Sequence, residues 1–256
     1  MLAVLKYGGN AMAQGGPDPV LSDLAGLLHE GWQFVLVHGG GPEIDAALAE
    51  SNIQTTRVNG LRVSDSATLT ITERVLCGSV NKRLVRGCAQ LGIAAVGVSG
   101  QDGALLSATK SCAPDGSDLG FVGKIQSVDP RLLLTLLDAG YVPVVAPLAL
   151  ASDHGCAYNV NADTAAGAIA SALRADVYIV VSNIDYVLAD PNDPSSAIHA
   201  MSLHEACAFA ASPACASGMK PKMDAVIGAI KKGVDAAVIC GGLRQGLAGA
   251  GTLVRG

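Results

Sequence analysis

The sequence predicts a three-layer α/β fold, an αβα sandwich in which helices cover both faces of a mainly parallel central sheet. Two features of the 256-residue chain predict it. Short runs rich in Val, Ile and Leu alternate with longer segments of helical periodicity, which is the order of a repeated β/α unit. The short runs are apolar throughout instead of alternating with polar residues, as is typical of parallel strands whose sheet is covered on both faces.

The predicted elements follow one another along the whole chain. The strands are predicted from the continuous apolar runs at 2–7, 34–37, 94–98, 142–146, 177–181 and 236–239. The helices are predicted from apolar residues at helical spacing in 20–29, 42–51, 66–90, 130–138, 162–173, 202–211 and 220–232.

Two segments interrupt this order and predict antiparallel hairpins beside the main sheet. Residues 54–62 contain Asn59-Gly60, a pair typical of type I′ turns, and residues 107–128 contain Asp115-Gly116 before an extended run. Hairpins that leave a sheet in this way often form lids or contact surfaces. We place a boundary between two lobes after residue 174, where the helix 162–173 ends, which divides the chain into 1–174 and 175–256.

Composition excludes several other classes of protein. Half of the residues are hydrophobic and 15% are charged, so the chain can bury enough surface to fold. The mean hydropathy is +0.40, but no run approaches the roughly 18 apolar residues of a membrane helix, because the best candidate contains Asp138, Pro143 and Pro147. The seven cysteines form no CxxC pair and no secretory signal is found. We therefore expect a cytoplasmic protein without a membrane segment.

The charge pattern gives no indication of a nucleic-acid partner. The formal net charge is −5, and the chain has three Phe and one Trp. A nucleic-acid surface needs a basic stripe with interleaved aromatic side chains. We therefore expect small-molecule ligands.

Glycine-rich turns follow the first two predicted strands. They are Lys6-Tyr7-Gly8-Gly9-Asn10 and His38-Gly39-Gly40-Gly41-Pro42. Ligands of doubly wound sheets bind at the carboxyl ends of the strands, and glycines there expose backbone N–H groups to an anion. Either turn alone also fits a tight strand-to-helix connection, but two of them on adjacent strands predict a phosphate site. The Walker A, GxGxxG, GxSxG and HExxH patterns are absent, so this site is of another type.

Each charged or titratable candidate near these turns has two interpretations. Lys6 fits an anion-binding cation or a strand-end lysine that reaches solvent, and Lys222 opposes a helix dipole unless an anion is bound. Asp163 fits a site carboxylate or a helix cap, and Arg62 fits a carboxylate fork or a surface charge. For His38 we favour packing of the turn over support of the site.

Nine strings, in order along the chain, resemble the amino acid kinase family. They are KYGGNAM (6–12), VHGGGPEID (37–45), NGLRVSD (59–65), VNKRLV (80–85), VGVSGQDG (96–103), DLGFVGKI (118–125), GYVPVVAPLA (140–149), YNVNADTAAGAIA (158–170) and GMKPKMDA (218–225). The resemblance covers essentially the whole chain, and the ordered set is far more specific than any one string. It implies the αβα sandwich of that family, in agreement with the predicted fold.

The strings are most similar to the members of this family that act on N-acetyl-L-glutamate in arginine biosynthesis. The resemblance implies transfer of the γ-phosphoryl group of ATP to the side-chain carboxylate of that substrate, with Mg²⁺ held mainly by the phosphates and no protein metal ligand. A carboxylate is already ionised at pH 7, so the reaction requires no general base. It requires alignment of two anions and stabilisation of charge on the moving phosphoryl group.

The resemblance also implies roles for individual residues. The residues that correspond to the catalytic lysines and to the aspartate that orients them are Lys6, Lys222 and Asp163. Those that would bind the amino-acid substrate are Gly40, Gly41, Arg62 and Asn159. Those that would bind ATP or its phosphates are Gly8, Gly9, Ser182 and Met219, and Gly40 would also donate to a phosphate oxygen.

The chain departs from the family pattern after the fifth predicted strand. Asn183 stands where the family usually has an aspartate, and Tyr186 stands where it usually has a glycine. Relatives with a similar sequence at 182–183 act on aminoadipate or glutamate linked to a carrier protein, which is one alternative; a non-catalytic sensor of nucleotide or amino acid is another. The intact GLRVSD and YNVNAD strings favour the free acid, and the three charged residues together favour catalysis.

The resemblance implies a homodimer. Members of the family that are inhibited by arginine usually carry an additional N-terminal helix that joins dimers into a hexamer. The first predicted strand of this chain begins at Leu2. We therefore expect a homodimer that is insensitive to arginine.

Overall fold

The computed structural model describes residues 1–8, 12, 18–58, 61–113, 115–152, 155–215 and 218–256. Its strands are β1 (Leu2–Tyr7), β2 (Gln33–His38), β3 (Arg57–Val58), β4 (Leu61–Arg62), β5 (Ala95–Ser99), β6 (Leu106–Cys112), β7 (Asp118–Val128), β8 (Val142–Ala146), β9 (Leu148–Ala151), β10 (Ala157–Asn159), β11 (Val177–Val181), β12 (Val187–Leu188), β13 (Ala197–Ile198), β14 (Ala200–Ser202), β15 (Ala236–Cys240) and β16 (Thr252–Arg255). Its α-helices are α1 (Pro19–His29), α2 (Gly41–Glu50), α3 (Ser66–Glu73), α4 (Asn81–Gln90), α5 (Arg131–Asp138), α6 (Ala162–Leu173), α7 (Leu203–Ala210), α8 (Met219–Lys231) and α9 (Leu243–Leu247).

The main sheet has eight strands in the order β14-β16-β15-β11-β1-β2-β8-β5. All neighbouring pairs are parallel except β15 and β16, which are antiparallel. The predicted αβα sandwich with a mainly parallel sheet is therefore confirmed. The proposed lobe boundary falls between α6 and β11, and β11 pairs with β1 in the middle of the sheet.

Two apolar cores lie on opposite faces of this sheet, and successive residues of β1 alternate between them. Val4 belongs to the core that contains side chains of α6 and α8. Leu5 belongs to the core that contains side chains of α1, α2 and α4. Because both faces are buried, the strand is apolar at every position but one, which is the pattern that predicted it. Lys6 is the exception in β1 and lies on the same face as Val4.

The two predicted hairpins are confirmed, and one of them belongs to a larger unit. Strands β3 and β4 pair antiparallel, although the Asn59-Gly60 turn between them lies outside the described residues. Strands β6 and β7 pair antiparallel and close a four-stranded barrel with β9 and β10. The sequence did not predict β9 and β10, because strands of three or four residues are too short to show a period.

The predicted helix 66–90 is present but contains a π-helical segment, Arg74–Val80, between α3 and α4. A π-helical turn is wider than an α-helical turn and changes the direction of the side chains that follow it. The first residue after it, Asn81, is 1% exposed and points into the protein. Within the described part of the chain, no helix is long and apolar enough to cross a membrane.

Two glycines of the β6–β7 hairpin allow a matched test of packing. Both have a positive φ, +82° at Gly116 and +71° at Gly120. A Cβ at Gly116 would have no described atom within 4 Å, whereas a Cβ at Gly120 would collide with the backbone carbonyl of Ser64. That carbonyl accepts a hydrogen bond from Phe121 N at 2.6 Å and joins the barrel to the segment after β4.

We expect Gly120→Ala to destabilise the protein more than Gly116→Ala. Gly116→Ala should cost about 1 kcal/mol from the left-handed backbone alone, and Gly120→Ala about 2–4 kcal/mol because overpacking adds to that strain. Denaturant unfolding of both variants gives the difference. Equal losses would show that Ser64 moves aside without cost.

Candidate active site

A cavity of about 450 Å³ lies at the carboxyl ends of β1, β2 and β11. Parallel strands end at the same edge of a sheet, so the turns that follow these three neighbouring strands meet there. The predicted site residues that line the cavity are Lys6, Gly8, Gly40, Gly41, Arg62, Asn159, Asp163, Ser182 and Lys222. Of the remaining two, Gly9 lies outside the described residues. Met219 is partly buried against the apolar core at the start of α8 and is not part of the described cavity wall.

The N-terminus of α6 places Asp163 in the cavity and frees its carboxylate from capping. The cap is Asn161, whose Oδ1 accepts hydrogen bonds from Asp163 N at 2.9 Å and Thr164 N at 3.1 Å. A capped helix needs no second side chain for these N–H groups. The interpretation of Asp163 as a simple cap is therefore wrong.

Lys6 and Asp163 form a buried ion pair. Lys6 Nζ lies 3.0 Å from Asp163 Oδ1, and each side chain is 8% exposed. Lys6 is therefore not a strand-end lysine that reaches solvent. Among the described residues, Asp163 Oδ1 accepts no well-directed hydrogen bond, so charge rather than hydrogen-bond geometry holds the pair. A buried ion pair contributes little net stability, because desolvation offsets the attraction.

Gly8 allows the side chain of Lys6 to fold over the backbone. A Cβ at Gly8 would collide with Lys6 Nζ and lie 3.1 Å from Lys6 Cε. The side chain of Lys6 therefore reaches Asp163 across a position that has room only for a hydrogen atom. This close approach gives the first glycine turn a function beyond a tight connection.

Two residues that the sequence did not predict hold the start of α6 in place. Tyr178 on β11 is fully buried and donates its hydroxyl to the backbone oxygen of Asp163 at 2.9 Å. Burial, and secondarily the charge of Asp163, raise the pKa of Tyr178 well above its usual value. Gly167 lies one turn after Asp163, and a Cβ there would come within 3.0 Å of Ala225 O in α8. The sequence signal for this close helix contact is the run of small residues in both helices.

Lys222 lies in the first turn of α8 and shares the electrostatic environment of the ion pair. Its Nζ donates to Gly218 O at 3.0 Å. Burial lowers the pKa of Lys222 below its ordinary value, the charge of Asp163 raises it, and the charge of Lys6 lowers it. Lys222 thus belongs to the same charged cluster, and among the described residues it forms no ion pair of its own.

Arg62 is buried in the cavity wall and is paired with a carboxylate that the sequence did not single out. Arg62 Nη1 donates to Asp45 Oδ1 at 2.6 Å, and Nη2 lies 3.4 Å from Gly41 O. Arg57 Nη2 donates to the other oxygen of Asp45 at 2.8 Å. Arg62 is 7% exposed, so its interpretation as a surface charge is wrong. Its guanidinium keeps further N–H donors for a ligand carboxylate.

The two arginines determine the protonation of Asp45. Desolvation raises the pKa of Asp45, but the hydrogen bonds and charges of Arg62 and Arg57 outweigh it and hold the pKa below its usual value. Asp45 and Arg57 both line the cavity. The available sequence signal was the position of Asp45 at the end of the VHGGGPEID string.

The second glycine turn opens α2 without a side-chain cap. Gly40 is the N-cap residue and offers no side chain to the first N–H groups of the helix. Gly39 N donates to Tyr7 O at 3.0 Å, which joins the two turns. Within the described residues, the N–H groups of Gly40 and Gly41 have no protein acceptor. Free N–H groups at a helix N-terminus favour an anion such as phosphate.

The chain matches the profile of the amino acid kinase family over residues 1–241. The chain belongs to the amino acid kinase family. It is 43% identical over 240 residues to an acetylglutamate kinase of Thermoanaerobacter sp. (strain X514), covering 93% of this chain and 79% of the relative. It is 41% identical over 249 residues to an acetylglutamate kinase of Brevibacillus brevis, covering 97% and 92%. The solved structure of smu.665 from Streptococcus mutans UA159 has a TM-score of 0.86 and 26% identity, covering 99% and 98%.

Asn183 and Tyr186, the two residues that the sequence analysis distinguished from the family pattern, follow β11. Ser182 is buried, lines the cavity, and donates to Asn183 Oδ1 at 3.3 Å. Tyr186 packs its ring against the ring of His199, with centroids 4.7 Å apart in an edge-on arrangement. Tyr186 is not part of the described cavity wall.

We expect Asp163→Asn to lower the pKa of Lys222 further. The negative carboxylate favours the protonated ammonium, so its removal leaves burial and the charge of Lys6 unopposed. NMR titration of isotopically methylated lysines measures the change. Lys110, which pairs with Asp118 at 2.8 Å, is the control and should titrate at the same pH in both proteins. A Lys222 pKa that stays constant or rises would contradict the coupling.

Proposed function

We propose that this amino acid kinase is an acetylglutamate kinase. It transfers the γ-phosphoryl group of ATP to the side-chain carboxylate of N-acetyl-L-glutamate and forms N-acetylglutamyl 5-phosphate. The observation that carries the proposal is one cavity that holds the buried pair of Lys6 and Asp163 together with Lys222 and the buried guanidinium of Arg62. Identities of 41% and 43% to acetylglutamate kinases over almost the whole chain support this choice among the activities of the family.

The reaction suits a cavity that supplies cations and no general base. A carboxylate oxygen of the substrate attacks the γ-phosphorus while the bond between that phosphorus and the bridging oxygen of ADP breaks. No proton has to be removed, because the carboxylate is ionised at neutral pH. The residues therefore act by aligning the two anions and by neutralising charge on the transferring group.

The two lysines stabilise the transferring phosphoryl group from opposite sides. Lys6 approaches from the substrate side and Lys222 from the nucleotide side. Asp163 orients Lys6 through the 3.0 Å ion pair, and its charge raises the pKa of Lys222. The N–H groups of Gly40 and Gly41, which have no acceptor in the described part of the chain, add donors at the positive end of α2.

The substrate carboxylate that does not react binds to Arg62. Asp45 occupies Nη1 of Arg62, whereas Nη2 makes only a 3.4 Å contact with Gly41 O. The Nη2 edge of the guanidinium is therefore available to a ligand. Asn159, at the end of β10, adds an amide to the same wall. Recognition of one carboxylate here leaves the other directed to the phosphoryl group.

ATP brings Mg²⁺ on its phosphates in this proposal. Among the described residues, no group of three or more His, Cys, Asp or Glu side chains could hold a metal ion. The carboxylates of Asp45 and Asp163 on the cavity wall are both paired with cations. This donor set fits a metal ion held mainly by phosphate oxygens, where it would supply charge neutralisation.

The two lobes divide the substrates between them. Residues 1–174 supply Arg62 and Asn159 and bind the amino acid, and residues 175–256 supply Ser182 and Lys222 and bind ATP. This division is supported by the position of the cavity, whose wall includes residues from both parts.

A hydroxamate assay tests the function. The protein is incubated with ATP, Mg²⁺, hydroxylamine and either N-acetyl-L-glutamate or an aminoadipate or glutamate group linked to a carrier protein. We expect hydroxamate with N-acetyl-L-glutamate, since hydroxylamine traps the acyl phosphate. Product with only a carrier-linked acid would show that this acid, and not free N-acetyl-L-glutamate, is the substrate. No product with any acid would support the alternative of a non-catalytic sensor.

Lysine variants in the same assay test the roles of the cations. Lys6→Ala and Lys222→Ala should each lower the rate by about 10²–10³-fold, by analogy with the loss of one oxyanion-hole donor. Lys220→Ala is the matched control, because Lys220 lies on the same helix and pairs at the surface with Asp224 at 2.6 Å. Its rate should stay near that of the unmodified protein. A near-normal rate for the alanine variant of either cavity lysine would show that this lysine has no catalytic role.

The protein forms a homodimer in this proposal, and the edge strand β5 supports it. Strand β5 ends the main sheet, and its residues 95–98 are only partly buried. Leu91 and Tyr141, which precede β5 and its neighbour β8, are 39% and 42% exposed. Light scattering after size exclusion should give a mass of twice 25.7 kDa. A single-chain mass at micromolar concentration would contradict the homodimer.

A further inference from the structure

His38 is a buried imidazole beside the cavity that the proposed mechanism does not use. It is the last residue of β2, directly before the second glycine turn, and is 0% exposed. Both ring nitrogens have polar neighbours. Nδ1 lies 2.9 Å from Gly39 O, and Nε2 lies 3.2 Å from Asn81 Nδ2.

The orientation of Asn81 is fixed by its other contacts. Asn81 Nδ2 donates to Val144 O at 2.8 Å and lies 3.2 Å from Val98 O. Asn81 Oδ1 accepts from Lys82 Nζ at 3.1 Å. A flipped amide would place its oxygen against two carbonyl oxygens and its nitrogen against an ammonium, so the nitrogen must face His38.

These contacts determine the tautomer of His38. The amide nitrogen of Asn81 is only a donor, so a hydrogen on Nε2 would oppose it, and Nε2 is the unprotonated, accepting nitrogen. A carbonyl oxygen accepts, so Nδ1 carries the proton and donates to Gly39 O. The ring is therefore neutral with its hydrogen on Nδ1. Burial also lowers the pKa of His38 to about 4, which agrees with a neutral ring at pH 7.

The bond to Gly39 O sets the direction of the next N–H group. The peptide between Gly39 and Gly40 is trans, so the carbonyl of Gly39 and the N–H of Gly40 point in opposite directions. The carbonyl is held against the buried ring of His38. The N–H of Gly40 is consequently turned away from the ring, and Gly40 lines the cavity.

The same peptide is restrained on its other sides. Gly39 N donates to Tyr7 O, and a Cβ at Gly40 would lie 2.8 Å from Leu76 Cδ2 and 3.2 Å from Val80 Cγ2. These neighbours thus fix the position of the backbone. The rotation of the peptide plane between Gly39 and Gly40 depends on a donor at His38. A glycine pair has few backbone restraints of its own, so such a donor is needed.

We propose that His38 is a positioning residue that aims the N–H of Gly40 at the transferring phosphoryl group. The link runs from Asn81 through the imidazole to the carbonyl of Gly39. This inference rests on the proposed function, because it requires a phosphoryl group beside Gly40. It also replaces the interpretation of His38 as a packing residue, for which neither the Nδ1 donor nor the amide of Asn81 would be needed.

Two variants separate the positioning role from packing. In His38→Asn the side-chain amide places a donor at the position of Nδ1, whereas in His38→Gln the longer side chain places its amide near Nε2 and leaves Gly39 O without its donor. We expect His38→Asn to keep most of kcat. We expect His38→Gln to lower kcat by roughly 10-fold or more with little change in the KM for ATP, since complete loss of one such donor costs about 10²–10³-fold.

The opposite order of the two variants overturns the proposal. If His38 only fills space, His38→Asn, which removes more volume, will lose as much activity and thermal stability as His38→Gln or more. Thermal unfolding of both variants is measured beside the kinetics. Rates are taken with whichever acid the unmodified protein phosphorylates, so absence of activity on N-acetyl-L-glutamate counts against the proposed substrate and not against His38.

A spectroscopic measurement on the unmodified protein tests the same proposal without any variant. The protonated and unprotonated nitrogens of a neutral imidazole have well-separated ¹⁵N shifts, and His38→Asn identifies the His38 signals by their loss. We expect the hydrogen on Nδ1 at pH 7. A hydrogen on Nε2, or a doubly protonated ring, would overturn the proposal even if His38→Gln failed to fold.

Discussion

The buried ion pair between Lys6 and Asp163 is the constraint on which the rest of the site depends. The two charged groups are 3.0 Å apart and each side chain is 8% exposed, so both lose most of their hydration. This desolvation costs roughly several kcal/mol per ion. Such a pair persists only when its surroundings leave it no better arrangement. Here Gly8 gives Lys6 its path, Asn161 takes over the capping of α6, and the hydroxyl of Tyr178 fixes the backbone of Asp163.

The pairing of buried charges extends to the rest of the cavity. Each deeply buried cation has one carboxylate: Lys6 has Asp163, and Arg62 has Asp45. Lys222 and Arg57 then leave the described residues of the wall with more positive than negative groups. In a chain with few charges, this local excess lies in a partly desolvated cavity, where a charge interacts more strongly than in water. The excess matches the two anions that a carboxylate kinase must bring together.

The sequence could predict the features that depend on local pattern. Strands buried on both faces are apolar at every position, so β11 was predicted at its observed bounds, as was α6 from its helical periodicity. Features that depend on contacts between distant segments could not be predicted. The pairing of Asp45 with Arg62, and the bond from Tyr178 to Asp163, have no local signature because the partners are brought together only by the sheet.

The two cavity lysines differ in how far the protein prepares them for an anion. Lys6 pairs with the carboxylate of Asp163 and passes close over Gly8, whereas the ammonium of Lys222 donates to the carbonyl of the helix N-cap residue, Gly218 O. Burial is also the main reason why the pKa of Lys222 is lowered. In the proposed function, a phosphate of bound ATP would restore the missing negative charge and replace the carbonyl as the partner of Lys222. We therefore propose that the fold positions Lys6 and that the nucleotide positions Lys222.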